Sequence, residues 1–125
     1  MKNLLILVSM LLTFGVSNAQ TSEIFKNLND DKELFYPSVR EGCLTITKNS
    51  IKESYSDNCV KPIDFTIHNM SLKDNKIRLS LTMHYFGDTK LVGFLEIKDN
   101  LLVLSYGDSE DDFEDWQSVG KYKLK

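Results

Sequence analysis

The sequence predicts an all-β protein with one short N-terminal helix, in which about seven strands form an antiparallel meander that closes into a barrel or folds into a sandwich. Three observations predict this class. Apolar and polar residues alternate with period two through most of the chain after Gly42. Turn residues recur at intervals of about eight to twelve residues, and the connections between the apolar segments are short.

The first 19 residues have the pattern of a cleavable signal peptide. Residues 1–3 carry one positive charge, residues 4–16 are apolar apart from one serine and one threonine, and small residues occupy positions 17 and 19. The apolar run is shorter than the roughly 20 residues that a bilayer span needs. We therefore predict that residues 1–19 are removed and that residues 20–125 form a single secreted β domain, periplasmic or extracellular, without a membrane anchor.

The charge of the predicted mature chain is concentrated in one segment. Without Lys2, 14 basic residues face 18 acidic residues, and six of the acidic residues lie between Asp108 and Asp115. The remainder has 12 acidic and 14 basic residues, and no basic stripe is present. This distribution argues against nucleic-acid binding.

Cys43 and Cys59 are the only cysteines of the chain. In an oxidising compartment such a pair predicts a disulfide bond. A redox pair usually has the Cys-x-x-Cys spacing and a structural zinc site usually has four ligands, and neither pattern is present. We therefore predict a structural bridge worth about 3 kcal/mol in the chain-entropy model.

The segment before Gly42 is predicted to begin with the helix. Ile24, Phe25 and Leu28 have helical spacing and follow two residues that can cap a helix, Thr21 and Ser22. A turn is predicted at residues 29–31, and residues 34–36 form a small apolar cluster before Pro37.

The first hairpin is predicted from two alternating segments, 44–47 and 51–55, joined by a turn at 48–50. Pairing Thr47 with Ile51 would put Cys43 opposite Tyr55, four residues short of Cys59. We therefore expect the disulfide to tie the open end of the hairpin to the turn at residues 56–58.

The second half of the chain is predicted to continue the meander. Phe65 and Ile67 have opposite parity to Met70 and Leu72, so a β-bulge is expected near residues 68–69. The clearest strand is predicted at residues 77–85, and its one polar face indicates an antiparallel sheet. Further strands are predicted at residues 91–97, 101–106 and 117–124, with turns at 73–76, 86–89 and 98–100.

The helix has two possible positions in this architecture: it plugs one end of a barrel, or it covers the apolar second face formed by Val92, Phe94, Leu102 and Leu104. In outline the predicted architecture is similar to the small lipocalin-like barrels of bacterial envelopes. The Gly-x-Trp element that opens the first strand of a lipocalin is missing, because the sole tryptophan is Trp116. The resemblance therefore concerns the architecture alone and implies no site residues.

The acidic segment is the most unusual feature of the sequence. Its carboxylates are Asp108, Glu110, Asp111, Asp112, Glu114 and Asp115. Three interpretations stay open: a solvated loop, a calcium site, or a patch that binds a basic protein partner, where opposite charge would raise the association rate. The segment lacks the residue order of an EF-hand loop, and the neighbouring aromatics Phe113 and Trp116 are typical of interfaces.

No catalytic constellation is predicted. A hydrolase needs a nucleophile, a base and an orienting group in contact, and no Gly-x-Ser-x-Gly motif occurs. His68 and His84 are predicted to be surface residues, and we predict no metal and no cofactor. Glu53 lies on the apolar face of its strand, so either the strand end is exposed or the carboxylate meets a ligand.

The aromatic residues supply the predicted ligand site. Tyr55, Tyr85, Phe94, Tyr106 and Trp116, together with Tyr122, are sufficient to line a cavity, and they are equally the material of a small β core. We predict an exported, non-enzymatic binding protein whose barrel mouth holds a small apolar or amphipathic ligand. The alternative is an inhibitor-like envelope module that binds a basic protein through residues 108–115.

Overall fold

The computed structural model describes residues 19–108 and 118–124 and contains one helix and eight antiparallel strands. Helix α1 covers residues 19–29. The strands follow one another in the sheet in chain order, so the sheet is a simple meander. They are β1 (Leu34–Pro37), β2 (Cys43–Ile46), β3 (Ser50–Ser54), β4 (Ile63–Lys73), β5 (Lys76–His84), β6 (Asp88–Lys98), β7 (Leu101–Gly107) and β8 (Ser118–Lys123).

The sheet curls into a nearly closed barrel because its first and last strands meet. Ser38 and Tyr122 form a β-bridge, and the backbone N–H of Val39 donates to the carbonyl oxygen of Lys121 at 3.2 Å. The predicted all-β class and the helix are confirmed, and of the two predicted architectures, barrel and sandwich, the structure has the barrel. Strand β1 was not predicted, because four residues that end in proline are too few to show a period of two.

Helix α1 closes part of the barrel interior. Ile24 and Leu28 belong to the same buried cluster as the inward-facing strand residues, and Leu28 is fully buried. Within the described residues, no helix combines the length and the apolar character of a membrane-spanning segment.

The alternative position of the helix, over a second apolar face, is wrong because that face does not exist. Leu104 pairs with Leu95 and both are fully buried, whereas Phe94 pairs with Ser105 on the outside. Strand β7 is almost continuously apolar, so its own sequence does not reveal which residues point inward. The register with β6 determines which residues of β7 point inward, and these are Leu102 and Leu104. On β6, Phe94 and Val92 share the face that points outward.

Two tight hairpins hold the largest strands in register. Asp74-Asn75 joins β4 to β5, and Asp99-Asn100 joins β6 to β7. All four residues have positive φ angles, as a two-residue type I′ turn requires, and Asp and Asn tolerate that conformation. Both turns are at the predicted positions.

The predicted bulge in β4 is confirmed. The pairing with β5 shifts between Ile67 and Asn69, which leaves His68 as the additional residue. The shift brings Met70 to the same side of the sheet as Ile67, where it packs against the core. The bulge therefore allows Met70 to face the interior, although its position has opposite parity to Phe65 and Ile67.

The first hairpin forms with a register one residue away from the predicted one. Ile46 pairs with Ile51, and the N–H of Thr47 donates to the carbonyl oxygen of Ser50 at 2.9 Å. The side chains of Thr47 and Ser50 also form a hydrogen bond of 2.8 Å, which favours the two-residue loop Lys48-Asn49 over a three-residue turn. As a result, Cys43 lies opposite Ser54.

The disulfide bond between Cys43 and Cys59 is present, with the Cα atoms 5.6 Å apart. As predicted, it ties the open end of the β2–β3 hairpin to the turn that follows β3, here a 3-10 turn at Asp57–Cys59. The Ser54 hydroxyl donates to the carbonyl oxygen of Val60 at 2.6 Å and fastens the same segment a second time. A disulfide is consistent with an oxidising compartment.

Replacing both cysteines by serine is expected to lower the free energy of unfolding by about 3 kcal/mol, because the unfolded chain regains the entropy of a loop of about 16 residues. Urea unfolding of the purified protein without reductant measures this difference. Wild-type protein with reductant is the control and should resemble the double variant. Equal midpoints for the oxidised wild type and the variant would contradict the prediction.

Candidate functional site

The candidate site is built around a carboxylate inside the barrel. Glu53 pairs with Leu44 on β2 and with Ile63 on β4, and its side chain points to the interior with 0% of its surface exposed. Of the two expectations for Glu53, the exposed strand end is therefore wrong. The apolar parity of Glu53 in its strand correctly indicates the inner face.

Three tyrosine hydroxyls converge on Glu53. The hydroxyls of Tyr55 and Tyr106 donate to Oε1 at 2.5 Å and 3.1 Å, and the hydroxyl of Tyr122 donates to Oε2. The Tyr55 and Tyr106 hydroxyl oxygens are 3.4 Å apart. The three donors come from the end of β3, from β7 and from β8. The carboxylate therefore joins three parts of the barrel that are far apart in sequence.

This cluster accounts for a charge-bearing group in an apolar interior. Burial of a carboxylate without partners is strongly unfavourable. No lysine, arginine or histidine in the described part of the chain forms an ion pair with Glu53. Hydrogen bonds to a charged acceptor each contribute about 1.5–3 kcal/mol, so three of them offset much of the desolvation cost. Three donors on two oxygens are the arrangement that stabilises an ionised carboxylate.

The tyrosines of the cluster hold their protons firmly. Burial raises the pKa of Tyr55 and of Tyr122 far above the ordinary value of 10, and the adjacent Glu53 raises both further. Both phenols therefore stay protonated at neutral pH and direct their protons to the carboxylate. Each phenol oxygen also has lone pairs, which take no part in its bond to Glu53.

Gly120 makes room for the cluster. A Cβ atom at this position would lie 2.6 Å from the Tyr122 hydroxyl oxygen and 2.8 Å from Oε2 of Glu53. Any side chain here would displace one of the two groups. The glycine in β8 thus permits the backbone to approach the carboxylate closely.

An open groove of about 970 Å³ lies beside this cluster, where β1 and β8 meet. Tyr55 and Tyr122 belong to both the groove and the cluster, so they connect the surface with Glu53. Tyr55 is 55% exposed and Tyr122 only 2%. Among the described residues, the lining consists of Ser38, Val39, Arg40, Glu41, Ser54, Tyr55, Gly120, Lys121 and Tyr122.

The structure brings two of the five predicted ligand residues together, Tyr55 and Tyr106. Tyr85 lies in the β5–β6 connection with its ring 4.5 Å from that of Phe86. Phe94 points outward, with the Lys76 ammonium 6.0 Å from its ring centre. Neither lies in the groove lining. Trp116 lies outside the described residues.

The predicted partner-binding carboxylates also lie mostly outside the described residues. Only Asp108 is described, as an exposed residue directly after β7. Their proposed role therefore stays a prediction, as does that of Trp116.

The two histidines lie on the outer face of β4 and β5, as predicted. His68 Nε2 is 2.6 Å from Thr82 Oγ1, and His84 lies 2.7 Å from both Thr66 Oγ1 and Asp88 Oδ1. Among residues 19–108 and 118–124, no three histidine, cysteine or carboxylate side chains gather as metal ligands would.

Sequence reasoning missed the central role of Glu53 and the part of Tyr122. The available signal for Glu53 was its place on the same strand face as Ile51 and Tyr55. A carboxylate on an apolar face requires buried hydrogen-bond donors. Nothing in the sequence indicates which tyrosines provide them, because Tyr106 and Tyr122 lie 53 and 69 residues away.

Replacing Tyr122 by phenylalanine is expected to lower the free energy of unfolding by about 1.5–3 kcal/mol at pH 7, because one hydrogen bond to a charged acceptor is lost. Above pH 10 the phenol of Tyr122 ionises in the unfolded wild type but not in the folded one. This lowers wild-type stability by up to about 1.4 kcal/mol per pH unit. The difference between wild type and variant should therefore narrow as the pH rises above 10.

Urea unfolding at several pH values between 7 and 11 measures this difference. Tyr85→Phe is the matched control, because Tyr85 is 53% exposed and lies outside the cluster. A difference between wild type and Tyr122→Phe that does not change with pH would contradict the raised pKa of Tyr122.

Comparison with known proteins adds no relative to this description: no protein-family model, no curated protein and no solved structure matches the chain.

Proposed function

We propose that this protein is an exported, non-enzymatic binding protein that holds a small amphipathic ligand in the groove where β1 and β8 meet. The observation that carries the proposal is the groove itself, whose lining includes Tyr55 and Tyr122, both hydrogen-bonded to the buried Glu53. Because the lining combines tyrosines with apolar side chains such as Val39, it suits a ligand with one polar and one apolar part.

The size and the position of the groove support this proposal. Ligand pockets commonly have volumes of about 300–1,000 Å³, and the groove is at the upper end of that range. Eight-stranded barrels either fill their interior with side chains or hold one small ligand. Here Leu44, Leu79 and Leu95 are fully buried in the interior, so the groove offers the space.

Binding rather than catalysis is supported by the groups beside the groove. Ser38 and Ser54 are hydroxyls of its lining, and both histidines lie on the outer face of β4 and β5, so neither serine has a histidine base. Both oxygens of Glu53 already accept tyrosine hydrogen bonds. Glu53 is also fully buried, so a substrate in the groove would not contact its carboxylate directly.

Export is supported by the signal pattern of residues 1–19 and by the disulfide bond. We propose that the mature protein, residues 20–125, acts in the periplasm or outside the cell, as the small lipocalin-like barrels of bacterial envelopes do. N-terminal sequencing of the secreted protein tests the cleavage, with Gln20 as the expected first residue.

Native mass spectrometry of protein exported by its own signal tests ligand binding. The wild type is expected to carry a discrete, removable mass that is absent under denaturing conditions. Val39→Trp, which fills the groove, should abolish that mass. Val60→Trp is the matched control: Val60 is an exposed valine of a neighbouring loop that is not among the described lining residues, and its replacement should leave the bound mass in place.

Equal native and denatured masses for the wild type would contradict ligand retention. A bound mass that survives Val39→Trp would place the ligand elsewhere on the protein.

A second candidate function is an inhibitor-like envelope module that binds a basic protein through residues 108–115. The observation that favours it is the concentration of six carboxylates in this short segment. In chain order the segment lies between β7 and β8. Long-range attraction between unlike charges would accelerate association at low salt.

Replacing Asp111, Asp112 and Asp115 by asparagine is expected to weaken capture of a basic partner at least tenfold at low ionic strength. Wild-type capture should weaken in a similar way as salt is added, since exposed charges are screened. Capture from a periplasmic extract on immobilised protein measures both effects. Capture that is insensitive to the substitutions and to salt would contradict this second function.

A further inference from the structure

We infer that the polar end of the ligand is a primary ammonium group that binds at Tyr55 and Tyr122 above Glu53. This inference rests on the proposed function, since it names the chemical class of ligand for the same groove. It follows from two properties of the cluster: the direction of its hydrogen bonds and the location of its charge.

The two tyrosines of the groove lining offer hydrogen-bond acceptors to a ligand and no donors. Tyr55 and Tyr122 each donate their only hydroxyl proton to Glu53. What their oxygens still offer is lone pairs, so a ligand must supply the donors. A carboxylate or phosphate head group supplies acceptors alone and would find no proton at these two tyrosines. An ammonium group supplies three donors.

The negative charge of Glu53 favours the same kind of ligand, a cation. Glu53 is 0% exposed and has no described cationic partner, so its field acts in a medium of low polarity. Arg40 and Lys121 belong to the lining too, but both are exposed, so water and salt screen their charges. A cation therefore gains most where it lies closest to Glu53.

The geometry also distinguishes between types of cation. A primary ammonium has N–H groups for the tyrosine oxygens, whereas a quaternary ammonium has none and must keep a greater distance. Tyr55 is half-exposed, so a head group can reach it from solvent, and Val39 in the same lining offers an apolar surface to an alkyl chain. The ligand class is therefore an amphipathic primary amine.

Calorimetric titration of the mature protein with four probes of equal chain length tests this inference: n-octylammonium, octyltrimethylammonium, octanoate and 1-octanol. Octylammonium is expected to bind at least tenfold more tightly than any of the other three. At high salt the preference should persist, because the charge that provides it is buried.

Substitutions test whether the preference for octylammonium comes from Glu53 and the tyrosines bonded to it. Glu53→Gln is expected to weaken octylammonium binding at least tenfold and to weaken 1-octanol binding by a much smaller factor. Glu96→Gln is the matched control: Glu96 is paired with Lys76 at 3.7 Å on the outer face and should have no effect. Tyr55→Phe should weaken octylammonium binding severalfold by removing one acceptor. Because the variant also loses a hydrogen bond to Glu53, urea unfolding first establishes that it is folded under the conditions of the titration.

The outcomes separate this inference from the proposed function. If octanoate or 1-octanol binds as tightly as octylammonium, and Val39→Trp abolishes that binding, the groove holds an amphipathic ligand but the ammonium assignment is wrong. Equal affinities of wild type, Glu53→Gln and Tyr55→Phe for octylammonium would also overturn it. If none of the probes binds and native mass spectrometry shows no retained ligand, the proposed function fails together with the inference.

Discussion

The stability of the barrel depends on how the carboxylate of Glu53 is kept away from water. A buried charge is tolerated only when hydrogen-bond donors surround it, and in the described part of the chain these donors are three tyrosine hydroxyls. They come from the end of β3, from β7 and from β8, so the cluster joins sequentially distant strands. Tyr122 also forms the β-bridge to Ser38 that brings β8 to β1. Tyr122 thus has two roles: it donates a hydrogen bond to Glu53, and it lies where the barrel closes. The groove is located beside this contact.

Two covalent and steric constraints shape the wall of that groove. Gly42 has a φ angle of 103°, and a Cβ atom there would lie 1.9 Å from the carbonyl oxygen of Ser54, so the β1–β2 loop lies directly on the end of β3. The next residue, Cys43, is bonded to Cys59. The disulfide therefore fixes the base of the loop that carries Arg40 and Glu41. This part of the groove is therefore held in place without a ligand, which would lower the entropic cost of the proposed binding.

The parts of the fold that local chemistry determines could be predicted from the sequence. The Asp-Asn turns and the bulge at His68 were predictable, because turn residues and side-chain parity are visible in a short window. The disulfide between the only two cysteines and the helix at Ile24 and Leu28 were predictable for similar reasons. The inward direction of Leu102 and Leu104 was not, since β7 is apolar on both faces and only its neighbours fix its orientation. The cluster around Glu53 could be predicted only in part: parity placed the carboxylate on the inner face, while the identity of its donors depends on closure of the whole sheet.

The sequence separation within the cluster has a consequence for the order of folding. Tyr106 and Tyr122 follow Glu53 by 53 and 69 residues, so the loops that these contacts close are long. Until β7 and β8 have joined the sheet, the inner end of β3 holds a carboxylate that lacks most of its donors and prefers water. The early strands β2 to β4 therefore gain little by collapsing on their own around this residue. We therefore expect the last strand to complete the assembly of the barrel, so that a chain still lacking its C-terminal residues stays open.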